Sequence, residues 1–106
     1  MRTHQKNDER SLAMHQLIAA RIREDPALFD KARTVLAHWR EIVSVNTQPY
    51  LEEWEALMNQ GIDACLAVAT EDSMHATALR QSSPLACVLP NQERLEFLKN
   101  WGNGDV

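Results

Sequence analysis

Apolar residues recur at intervals of three and four along most of this chain, the spacing that places side chains on one side of an α-helix. Leu12, Met14, Leu17, Ile18 and Ile22 define a first helix. Asn7 and Asp8 are suitable caps for it, and it runs to about Glu24. Asp25-Pro26 closes it, because a residue before proline avoids the helical region. The same pair opens the next helix, with Asp25 as cap and Pro26 in the first position. Leu28, Ala32, Val35, Leu36, Trp39 and Ile42 or Val43 predict that second helix over 26–43. A third, over 49–60, starts at Pro49 and turns Leu51, Trp54, Leu57 and Met58 inward. Asn59-Gln60-Gly61 ends it, with Gly61 free to take a positive φ.

Ile62, Cys65, Leu66 and Ala69 mark a fourth helix over 62–69. Thr70 is the expected cap of a fifth, with Glu71 and Asp72 in its first turn and Met74, Ala78 and Leu79 facing inward. Ser82-Ser83-Pro84 breaks the pattern. Leu79, Leu85, Val88 and Leu89 then read as core, holding a last helix that opens at Pro90-Asn91 and carries Leu95, Leu98 and Trp101. Residues 1–6 read as a flexible arm and 102–106 as a frayed tail, leaving a helical domain over 7–101. The pattern holds no strand-like alternation and no repeat. It predicts an all-α fold, a compact single-domain bundle of five to six helices.

Composition agrees. Glycines number three and prolines four, while alanine, leucine, glutamate and arginine are plentiful. The hydrophobic fraction of 44% argues against disorder along the chain. The net charge of −4 weighs against a general nucleic-acid binder, whose affinity comes largely from cations on phosphates. A local basic patch stays open, because Arg2, Lys6, Arg10, Arg21 and Arg23 fall in the first quarter, partly offset by Asp8, Glu9, Glu24 and Asp25. Cys65 and Cys87 sit in apolar runs and read as buried free thiols. MRTHQKNDER lacks an apolar stretch, so no signal peptide is expected, and no window approaches a membrane span. A soluble cytoplasmic protein is the expectation.

Candidate chemistry is sparse. His4, His15, His38 and His75 are scattered, without zinc-ligand spacing, so neither a metal nor a cofactor is expected. Glu71 and His75, one turn apart, suit a surface hydrogen bond. Arg10 and His15, like Arg33 and His38, are separated by four residues. That spacing resembles the Arg-x4–6-His signature of HEPN ribonucleases, in which arginine steadies phosphate charge and histidine acts as base. Ser11 and Thr34 match that family's polar position only loosely. Ser82 and Ser83 belong to no nucleophile motif, and no glycine-rich phosphate loop occurs. Trp39, Trp54 and Trp101 lie at core spacing. A helix-turn-helix drawn through the last two helices would present a mixed face, not a basic one.

Three segments, "RSLAMHQLIAARIREDPALFDKAR" at 10–33, "PYLEEWEALM" at 49–58 and "EDSMHATALRQSSPLACVLPNQERLEFLKNW" at 71–101, resemble a group of small bacterial helical proteins. That group shows an RSLAxH…PYxxEW…ALRQSSP pattern and is associated with mobile or defence-type operons. Pro90 stands where the pattern has a serine cap, and Cys87 where it has glycine. The resemblance implies no catalytic residues. It implies a partner-binding role, as the antitoxin-like or accessory half of a two-protein module.

The first reading is therefore a protein-interaction module. Tyr50, Glu52, Glu53 and Glu55 would form an acidic face for a basic, toxin-like partner. Arg80, Gln81, Ser82 and Ser83 would form a second, exposed surface. The competing structural role for Arg80 is to cap the carbonyls of its own helix. The alternatives are a DNA-binding regulator using Arg2, Lys6, Arg10, Arg21 and Arg23, and a HEPN-like ribonuclease. Homo-oligomers are compatible with all three.

Overall fold

The computed structural model describes the backbone of residues 2–104 and the side chains of residues 8–101. Within them the helical periodicity becomes six α-helices and one 3-10 turn: α1 (Arg2–Glu24), α2 (Ala27–Ile42), α3 (Gln48–Gln60), α4 (Ile62–Ala69), α5 (Met74–Arg80), the turn Pro84–Val88, and α6 (Asn91–Gly104). The described residues hold no strand, and the fold is an all-α single-domain bundle.

The core takes Ile18 and Ile22 from α1, Phe29, Ala32 and Leu36 from α2, Leu51, Trp54 and Met58 from α3, and Cys65, Leu66 and Ala69 from α4. Leu79 of α5 joins them, with Leu85 and Val88 of the 3-10 turn and Leu89 after it. Full burial of each large side chain contributes about 1.5–3 kcal/mol. The 3-10 turn lies chiefly on α2 and also meets α1. Trp54, fully buried, donates its indole N–H to the Leu79 carbonyl at 2.9 Å, tying α3 to α5. Gly61 joins α3 to α4 at φ 120°, which a side chain would strain. Trp39 and Trp101, expected in the core with Trp54, are only half-buried.

Three boundaries differ by more than a residue from the sequence reading. α1 begins at Arg2, ahead of the Asn7 and Asp8 expected as caps. α6 reaches Gly104, into the expected tail. α5 is capped by Ser73, whose Oγ accepts the Ala76 N–H at 3.1 Å, and not by Thr70. Thr70 instead closes α4, its hydroxyl donating to the Leu66 carbonyl at 2.7 Å. Glu71 and Asp72 consequently precede α5, and Met74, expected inward, stands 92% exposed at its start.

The largest difference is α6. None of its described side chains is buried, and none joins the core. Leu95 is 65% exposed, and Phe97 stacks on Trp101 with ring centroids 6.1 Å apart. Glu93 anchors the start of α6 to Arg21 of α1.

Candidate interaction surface

His15 is the polar residue that the sequence reading left out of the core. It is 3% exposed on the inner face of α1. Its Nδ1–H donates to the Ser11 carbonyl at 2.8 Å, and its Nε2 accepts the Ser83 hydroxyl at 2.8 Å. Ser83 Oγ in turn accepts the Leu85 N–H at 3.1 Å and so caps the 3-10 turn. The outline is that of a nucleophile, a base and an orienting acceptor. The environment opposes that chemistry. Ser83 is buried, and one of its lone pairs is held by a backbone amide. Burial lowers the His15 pKa to about 4, with Arg80 adding to the effect, so the imidazole is a poor base near neutrality. The linkage fastens the 3-10 turn to α1. The spacing Ser11, His15, Ile18, Ile22 was the signal available in the sequence, because it puts His15 on the apolar stripe of α1.

Arg80 and Ser83 are not the exposed groups expected of the second surface. Arg80 is 5% exposed, and its Nη1 donates to the carbonyls of Ala69 at 3.0 Å and Glu71 at 2.8 Å. Its Nη2 donates to Thr77 Oγ1 at 3.2 Å, and its Nε has no acceptor among the described residues. Arg80 thus caps a helix, but the carbonyls are the last of α4 and one in the connection after it, not those of its own helix. Burial lowers its pKa, and Asp72, Asp8 and Glu71 counter that with favourable charge. Gln81 stays exposed and Ser82 half-buried.

The fastened loop forms one wall of an open groove. The groove holds about 390 Å³ and is lined by Trp39, Ile42, Val43, Thr47 and Leu51 on one side and by Arg80, Gln81, Ser82, Ser83 and Ala86 on the other. Next to it, at the α2–α3 corner, lie Ile42, Val45 and Tyr50, 64%, 82% and 39% exposed. Gln48 fixes this corner by donating its side-chain amide to the Arg40 carbonyl at 3.0 Å. The sequence reading singled out Tyr50, Gln81 and Ser82. It missed Ile42 and Val45 as surface residues, because helical spacing cannot tell that α2 ends just where its apolar stripe leaves the core.

The glutamates do not make one continuous acidic face. Glu52 and Glu55 turn to Arg40 of α2, at 3.4 and 2.9 Å, whereas Glu53 bonds His75 of α5. Glu71 accepts from the Ser73 hydroxyl, so the expected Glu71–His75 bond is replaced by two others. In the basic stretch, Arg21 meets Glu93 and Glu24, and Arg23 meets Asp63 at 2.8 Å. Arg10 is exposed, and the side chains of Arg2 and Lys6 lie outside the described residues. Of the Arg-x4-His pairs, His15 is sealed inside, and Arg33 is bound to the Met58 carbonyl and Asn59.

Both cysteines are free. Burial pushes the Cys65 thiol up to about 12 and raises that of half-buried Cys87, so neither is an activated nucleophile. Among the described residues no three His, Cys, Asp or Glu side chains gather as a metal site, and no helix is long and apolar enough to cross a membrane.

Fold and surface together define a small all-α bundle with an apolar groove at one corner. The chain matches no protein-family model, no curated protein and no solved structure.

Proposed function

We propose that this protein is a protein-interaction module, the accessory or antitoxin-like half of a two-protein complex, and that it grips its partner at the α2–α3 corner. The observation that carries this reading is the grouping of Ile42, Val45 and Tyr50 beside an apolar groove whose far wall is pinned in place by His15 and Ser83. Three exposed large apolar residues at one corner, rimmed by polar groups, are what a protein-binding surface looks like. A preformed groove also lowers the ordering cost of binding. The partner's complementary feature is an aromatic or aliphatic anchor with basic neighbours. The net charge of −4 and the exposed Glu41 at this corner favour such a partner and speed its approach.

The test is co-purification with the product of the neighbouring gene. The wild-type chain retains that protein in a stoichiometric complex, and Ile42→Glu together with Val45→Glu releases it. Both substituted positions are exposed, so the fold persists and circular dichroism verifies this. A neighbour product that never co-purifies, or one retained equally by the variant, overturns the proposal.

A further inference from the structure

Independently of that groove, a second pair of surfaces on the molecule match each other. Arg94, Leu95, Leu98 and Lys99 occupy adjoining positions on one face of α6, because i, i+1, i+4 and i+5 form a single patch on a helix. The patch is two leucines bracketed by two cations. Leu95, Arg94 and Lys99 are exposed and Leu98 is half-buried, outside the core. The acids of α6 point elsewhere: Glu93 and Glu96 line a small cleft with Arg21.

The complement lies between α1 and α5. A cleft of about 680 Å³ is lined by the acids Asp8, Glu9 and Asp72, which outnumber its one cation, Arg80, and by the apolar Leu12, Met74 and Ala78, with Ser73, Thr77 and Gln81 between them. Met74 stands 92% exposed. A helix carrying leucines between two cations has the chemistry this cleft accepts: apolar contact with Leu12, Met74 and Ala78, and a net excess of carboxylates for its cations.

The chain's own α6 does not fill it. Glu93 holds the start of α6 at Arg21, near the C-terminal end of α1, while the cleft opens by Asp8 and Glu9. The α-helical rise puts about 18 Å between Glu9 and Arg21. No described side chain of α6 is buried by its own bundle. Among the described residues, each chain therefore presents one helix face and one cleft that its own bundle leaves open. We propose that two copies satisfy both by reciprocal exchange, each inserting the Arg94–Lys99 face of α6 into the acidic cleft of the other. Two-fold exchange closes the assembly, with the same contact made twice.

Sedimentation equilibrium on the full chain tests this with charge reversals on each side. Wild type forms a dimer. Arg94→Glu with Lys99→Glu, and separately Asp8→Lys with Asp72→Lys, each weaken dimerisation at least about tenfold. Mixing the two variants restores association, because each then offers a helix that fits the other's cleft in both directions. Met74→Lys, at an exposed position, weakens the dimer similarly and serves if the Asp8 substitution harms folding. A wild-type chain that stays monomeric throughout overturns the proposal. So does a cleft variant that dimerises as well as wild type, or a mixture that stays apart.

Discussion

His15 and Ser83 stand 68 positions apart and share one buried hydrogen bond, in which the histidine must be neutral to accept. That requirement makes stability depend on pH in a definite direction. The folded pKa is lowered to about 4 from 6.5, so between those values the unfolded chain binds more protons than the native one. The contribution is complete above the unfolded value, shrinks as pH falls through this window, and levels off below about 4. The loss is on the order of 3 kcal/mol. Urea midpoints at about pH 7 and about pH 4.5 measure it, and His15→Gln flattens the slope between them. Arg80 acts at the same scale. It bonds two carbonyls and a hydroxyl inside the protein, so Arg80→Ala leaves them without a donor and costs about 2–4 kcal/mol in denaturant unfolding. Partner binding survives that change if stability is restored by working at low temperature, because the donors of Arg80 that have partners are spent within the protein, on Ala69, Glu71 and Thr77.

Elements explain why some of this was legible in the sequence and some was not. α4 runs over 62–69 as its apolar spacing predicts, because Gly61 before it and Thr70 after it leave the backbone few alternatives. Gly61→Ala puts a Cβ on a residue at φ 120° and costs about 1–3 kcal/mol, read as a lower urea midpoint with unchanged m. The start of α5 was misjudged because Thr70 and Ser73 are both competent caps. The choice between them follows from Ser73 adopting an extended backbone with its Oγ over the Ala76 N–H, which no local pattern encodes. α6 shows the opposite limit. Its leucines and tryptophan have core spacing, yet the core is already closed by Leu85, Val88 and Leu89 before α6 begins. Amphipathic periodicity reports that a helix has an apolar face, not what covers it.

At the scale of the whole molecule, the all-α bundle followed from periodicity alone, while its surfaces depended on long-range contacts. The residues expected to bind divide accordingly. Arg80 and Ser83 went inside, Glu52, Glu53 and Glu55 were drawn to Arg40 and His75, and Tyr50, Gln81 and Ser82 remained at a corner that gained Ile42 and Val45. The central claim is that this corner is the surface that meets another protein. Amide hydrogen exchange of the chain, alone and in complex with the product of its neighbouring gene, addresses it most directly. The account predicts slowed exchange over residues 42–51 and 81–86 on complex formation. Unchanged exchange there, with protection confined to α1 around Arg10 and Arg23, would contradict it.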